Sequence, residues 1–204
     1  NSSDPLRDVL EGIIGKYAAE AGWDFDVEFI DVANEEEFIA ACGKIRSPFL
    51  IFDGHGSHKS ETQVGAIRIG DVDLDVWKLR RKVSIPPIVI LSCCDAAPSD
   101  RSHASTANGF LSLGARTVFA PVFPVDGPQS ALMVARLLYR ITTVTRQWCR
   151  WHNLPLTWLE IVTAQMRACY ATDLLLQLMD DGKLGEAEYR EINVEVVNTI
   201  NQYA

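Results

Sequence analysis

The 204-residue chain has no CxxC pair and no HExxH frame. The first absence argues against a structural zinc site and the second against the usual metalloprotease helix. No run of 18 apolar residues occurs, so no membrane span is expected. Basic residues number 19 against 27 acidic, for a net charge of -8, and no Lys/Arg block stands out. Without a positive stripe to release counterions, direct nucleic-acid binding by this domain is not expected. A signal-peptide pattern and an initiator Met are also missing at NSSDPLRDVL, from which a fragment or processed product is expected. The five cysteines, Cys42, Cys93, Cys94, Cys149 and Cys169, are odd in number and irregular in spacing. They suit a reducing, cytoplasmic compartment rather than a disulfide framework. No internal repeat or low-complexity segment is present.

What remains is an ordinary globular balance, 48% hydrophobic and 23% charged, long enough for one full core. Asp4-Pro5 is a helix-start signal, followed by apolar residues at helical spacing from Leu6 to Tyr17 and a stop at Gly22. DFDVEFIDV (24–32) alternates and predicts a strand; Asn34 predicts the cap of a helix over 35–43. PFLIFD (48–53), PPIVILSCC (86–94) and RTVFAPVFPVD (116–126) are continuous apolar runs, as expected of parallel strands covered on both faces. GAIRIGDVDL (65–74) predicts a hairpin or a short strand with a Gly turn, and ANGFLSLGA (107–115) a short helix ending at Gly114. SALMVARLLYRIT (130–142) predicts an amphipathic helix, and residues 156–179 one long helix or two. Helices alternating with apolar strands predict an α/β fold with a mainly parallel sheet flanked by helices, its first strand expected upstream of residue 1. Residues 1–145 are expected to form the core and 146–204 a helical part of the same domain.

Open parallel sheets place chemistry just past the C-terminal ends of their strands. Two such ends carry reactive side chains. FLIFD runs into Gly54-His55-Gly56, and IVILS into Cys93-Cys94-Asp95. On neighbouring strands, about 4.8 Å apart, His55 and Cys94 would face one another. A cysteine needs such a neighbour, because a nearby imidazole lowers the thiol pKa and creates the thiolate nucleophile. Gly54 and Gly56 suit a tight loop around His55. For each residue alone the plainer reading stands: a packed Cys, a surface His.

The ordered set His55-Gly56, Leu91-Ser92-Cys93-Cys94, Gly114-Ala115-Arg116 and Phe123-Pro124-Val125-Asp126 resembles the CHAT family (caspase HetF associated with TPRs) of caspase- and separase-like cysteine peptidases. The likeness covers roughly residues 25–142. It implies a three-layer caspase-like fold with His55 as general base and Cys94 as nucleophile. Backbone N–H groups of Gly56 and Cys94 would hold the oxyanion, and no cofactor or metal would be required. Cys93 stands where the family has Ala and would be the packed neighbour of Cys94, since consecutive strand residues face opposite ways. Asp126 matches an acid that recognises a basic residue before the scissile bond; as a plain residue of VDGPQS it is equally a turn or helix cap. Asp95 is expected beside it on the substrate side. Phe123 replaces the family's Trp, and the segment after Cys94 lacks its common Thr-Gly, which leaves the substrate loop open. The resemblance further implies a protein substrate, control by a sensor or repeat domain or a partner chain, and settings that include bacterial antiviral defence.

Three other readings compete. FDGHG matches a stretch of the metal-dependent Ser/Thr phosphatases, but their later carboxylate motifs are not recognisable, and two hard cations need them. A zinc site on His55 and His58 needs helical spacing, which Gly54 and Gly56 oppose. The third is a catalytically silent caspase-like interaction module. His58 and His103 are expected to be solvated loop residues.

Overall fold

A computed structural model of the chain describes residues 5–21, 27–59, 64–93, 96, 104–123 and 125–202. It shows a mixed α/β chain that divides into two compact units. One is Val27–Ala131, the other Asn1–Asp26 with Leu132–Ala204.

In the second unit, α1 (Pro5–Ala21) starts at the proline, whose fixed φ suits a first helical turn. In the first unit, α2 (Glu35–Lys44) begins at Asn34, whose side chain accepts from Glu37 N at 2.9 Å. Glu37 in turn accepts from Ala33 N, one residue ahead of the cap, at 2.8 Å, so the cap satisfies one of the helix's orphan N–H groups and the Glu37 side chain ties down the entering chain. Six strands follow with α3 among them: β1 (Phe49–Asp53), β2 (His55–Lys59), β3 (Val64–Ile69), β4 (Val72–Asp75), β5 (Ile88–Ser92), α3 (Thr106–Ser112) and β6 (Thr117–Phe119).

Two sheets result. β1, β5 and β6 form a parallel sheet in that order, with Asp53 opposite Ser92 and Ile90 opposite Phe119. β5 is central, and Val89, Ile90, Leu91 and Ser92 are all buried, which is why its sequence reads apolar without alternation. β2, β3 and β4 form an antiparallel sheet. Gly70 turns β3 into β4 at φ +57°, where a Cβ would also meet Ala33 O at 2.6 Å. The core of this unit joins both sheets to the helices: Phe38 and Cys42 from α2, Phe52 from β1, Ile67 and Leu74 from the hairpin, Leu91 and Cys93 from β5 and its end, and Phe110 from α3.

Three expectations need correction. Residues 27–33 form no strand, although the alternation of that stretch suggested one. The strand expected over 116–126 is only Thr117–Phe119, half-buried on the sheet edge. Pro121 has no N–H for a ladder and ends it early. Residues 55–59, read as loop, pair with β3 instead. HGSHK has low intrinsic strand preference, and cross-strand pairing with VGAIRI overrides it.

The second unit continues through α4 (Gly127–Tyr139), whose first turn belongs to the first unit. Arg140–Thr145 winds as a π-helix, and α5 (Arg146–His152) follows. Then come α6 (Trp158–Asp180) and α7 (Glu186–Gln202). Thr157 and Glu160 close a capping box at the start of α6. No helix among the described residues is long and apolar enough to cross a membrane.

Candidate active site

β1 and β5 are adjacent, so their C-terminal ends leave the sheet side by side. Ser92 Oγ donates to Asp53 Oδ1 at 2.7 Å and lies 2.8 Å from Ser130 Oγ. A hydroxyl has one proton, and that of Ser92 is committed to the carboxylate. Ser130 is therefore the donor in the second contact. The chain runs one way, from Ser130 through Ser92 to Asp53, and ties the first turn of α4 to both strand ends. The backbone repeats the link, since Gly54 N donates to Ser92 O at 3.2 Å.

His55 begins β2, two residues past Asp53, and is exposed. It stands opposite Arg68, which stands opposite Asp73. Directly opposed residues share a face, so the three form a cross-strand row. Arg68 Nε donates to Asp73 Oδ1 at 3.0 Å. That hydrogen bond, and then the carboxylate's charge, hold the guanidinium above its ordinary range. The pair is exposed enough on the arginine side to add little to stability. Gly56 is half-buried opposite the fully buried Ile67.

The hairpin carrying His55 is fastened to the segment ahead of α3. Gly65 N donates to Ala104 O at 2.7 Å. A Cβ on Gly65 would lie 2.3 Å from Thr106 N, an approach only glycine allows. Ser105 caps α3 through Asn108 N at 3.1 Å. On the other flank Ala107 N donates to Ala96 O at 2.9 Å, and Ala96 is fully buried.

Cys93 is 2% exposed and belongs to the core cluster. Cys94, Asp95 and His103 lie outside the described residues. His58 pairs through its backbone with Gly65. Asp126 is exposed, and its carbonyl accepts from Ser130 N at 2.9 Å. It therefore opens α4 one turn from the serine that bonds Ser92, at the strand ends where His55 also lies. Val122 and Phe123, the latter 71% exposed, run up to it.

The sequence offered Asp53 as the end of its strand and as part of the FDGHG metal reading, Ser92 only as a member of the Leu91-Ser92-Cys93-Cys94 set, and Ser130 in no role. A signal existed. Ser92 is a polar residue closing an apolar buried run, and a buried hydroxyl needs a partner. None of Cys42, Cys93, Cys149 and Cys169 is in a disulfide. Burial pushes the Cys42 thiol up to about 11, which makes it a poor nucleophile. Among the described residues no group of three or more His, Cys, Asp or Glu side chains is placed to hold a metal ion. Comparison with known proteins finds no matching family model, no matching curated protein and no matching solved structure.

Proposed function

We propose that the chain is a caspase-like cysteine endopeptidase of the CHAT kind, with Cys94 as nucleophile and His55 as base. The observation that carries this is the pairing of β1 with β5 in a register that sets Asp53 opposite Ser92. In sequence, His55 is two residues past one strand end and Cys94 two past the other. Cys93, the residue between, is buried. Strand alternation then favours the opposite side for Cys94.

In the proposed reaction His55 takes the proton of Cys94 Sγ, and the thiolate attacks a peptide carbonyl carbon. Backbone N–H groups of Gly56 and Cys94 stabilise the oxyanion. Gly54 N–H is already given to Ser92 O, and in an extended chain the next N–H on that side is that of Gly56. As the tetrahedral intermediate collapses, the C–N bond breaks and the imidazolium returns its proton to the leaving amine. Water, deprotonated by His55, then cleaves the thioester and restores the thiol. Asp126, exposed at the start of α4, is the proposed acid that favours Arg or Lys before the scissile bond, with Asp95 on the same side. The substrate is a protein cut at few sites in the cytoplasm, under control of a sensor or repeat domain or a partner chain, with bacterial antiviral defence as a proposed setting.

The test offers a peptide library to the activated protein. Cys94→Ala and His55→Ala are expected to abolish cleavage while Cys93→Ala keeps it. Full activity in Cys94→Ala overturns the reading. A dead Cys93→Ala beside an active Cys94→Ala moves the nucleophile by one residue.

A further inference from the structure

The helical unit carries a half-open cleft of about 230 Å³ between α4 with its π continuation, α6 and α7. Each helix presents a row at helical spacing. Arg136 and Arg140 are four apart on α4 and the π segment, Gln165 and Cys169 four apart on α6, and Tyr189, Asn193 and Asn201 recur at multiples of four on α7. Residues so spaced lie on one helix face, so three faces converge on the same space.

The charge inside is one-sided. Arg140 is 5% exposed, and its Nε donates to Gln165 Oε1 at 3.0 Å. Arg136 Nη1 lies 3.9 Å from Cys169 Sγ. Gln165 spends its own amide nitrogen on Cys169 Sγ at 3.1 Å. Among the described residues no carboxylate lines the cavity. Burial holds the Arg140 pKa below its ordinary value, yet a guanidinium stays protonated at any working pH. A buried cation that faces only neutral partners is costly, and each guanidinium has five donors to place. Asn201 Oδ1 is buried with no hydrogen-bond partner, and its amide can turn to offer N–H instead. Thr172 Oγ1 donates to Asn193 Oδ1 at 2.9 Å, which fixes α7 against α6 at the wall. Arg140 also opens the π segment, a widened turn frequent at functional sites.

We propose that this cavity binds a small oxyanion of the phosphate class, clamped by Arg136 and Arg140 and reached by Asn201. Arginine pairs give phosphate several charge-assisted hydrogen bonds at once. Size limits the ligand. A phosphate group with a few waters fits inside, and the open side of the cleft leaves a substituent such as a nucleoside outside.

The test is calorimetric titration of the whole chain with inorganic phosphate and, separately, with adenosine monophosphate, at constant ionic strength set with sodium chloride. Saturable 1:1 binding is expected, weakened at least tenfold in Arg136→Gln and unchanged in Arg80→Gln, an exposed arginine of the other unit. Binding of phosphate identifies a free-ion site; binding of the monophosphate alone identifies a phosphomonoester site. Arg140→Met should also abolish binding, and if it fails to fold, Arg136→Gln and Asn201→Leu decide. Absence of saturable binding by either probe overturns the proposal, as does equal weakening in Arg136→Gln and Arg80→Gln.

Discussion

Gly65→Ala probes the fastening between the His55 hairpin and the segment ahead of α3. The added methyl would lie 2.3 Å from Thr106 N, 2.6 Å from Thr106 Oγ1 and 2.9 Å from Ser105 C. Two of these atoms are backbone, so no side chain can swing aside. Reaching an ordinary contact of 3.4 Å moves one backbone by about 1 Å in a close-packed interior. That movement breaks the 2.7 Å bond from Gly65 N to Ala104 O. Overpacking costs about 1–3 kcal/mol and the lost hydrogen bond about 0.5–1.5 kcal/mol. The stiffer unfolded chain offsets only about 0.4–1 kcal/mol. The net loss is about 0.5–4 kcal/mol, near 2 kcal/mol at the centre, which lowers Tm by roughly 4–8 °C for a chain of this length. Gly12→Ala, in α1 with nothing within 4 Å, should do the opposite and gain about 0.5–1 kcal/mol in the helix. Scanning calorimetry of the two variants reads both signs. A Gly65→Ala protein melting within about 2 °C of wild type refutes the close approach. If the peptidase reading holds, a shift of about 1 Å at His55 should also reduce turnover by about 100-fold.

The Ser130–Ser92–Asp53 chain sets an order of effects in urea denaturation. Ser92→Ala removes a hydrogen bond to a charged group and should cost about 1.5–3 kcal/mol, Ser130→Ala only about 0.5–1.5 kcal/mol; the reverse order contradicts the donor assignment. With its thiol near 11, Cys42 is thiolate at only about one part in ten thousand at neutral pH, so iodoacetamide and mass spectrometry of the native protein should find it unlabelled while half-buried Cys149 reacts. Thr157 lowers the Glu160 pKa through its backbone N–H first and its hydroxyl second. A depressed folded pKa gives stability that is full above the unfolded value, near 4.3, and lost as pH falls through the folded one. Thr157→Ala removes the hydroxyl and keeps the larger backbone contribution, so it should flatten the Tm profile in that acid window only in part; a steeper slope refutes it.

Much of the frame was legible in the sequence because it follows from local physics. Asn34 has no better use than capping, Gly70 takes a positive φ, and IVILS is too uniformly apolar for a half-exposed strand; FLIFD reads the same way, yet on the sheet edge it buries only Phe52. His55 was legible as a candidate because it follows such a strand. Its setting was not, since HGSHK becomes a strand only through pairing with β3, ahead of which the chain must first turn back. Ser130 escaped notice because its partner lies 38 positions away. The arginine-lined cavity was hidden for the same reason, with rows from three helices meeting only after packing. Pro121 and Pro124 were visible warnings that the run over 116–126 is too long to be one strand.

The π segment Arg140–Thr145 has a consequence for tolerated change in length. A π turn holds one residue more than the α turn it replaces, and each helical residue advances the winding by about 100°. Deleting a single residue there would let the wide turn close into regular helix, with the helix unbroken. Because the wide turn and the regular turn each complete one revolution, everything beyond would keep its angular register with Arg136. Trp148, whose indole nitrogen is buried and whose ring stacks on His152 at 4.3 Å, would keep its face. Such a deletion mutant should keep both its helix content by circular dichroism and its Trp148 fluorescence, so this one turn holds a slack residue that the helix can give up.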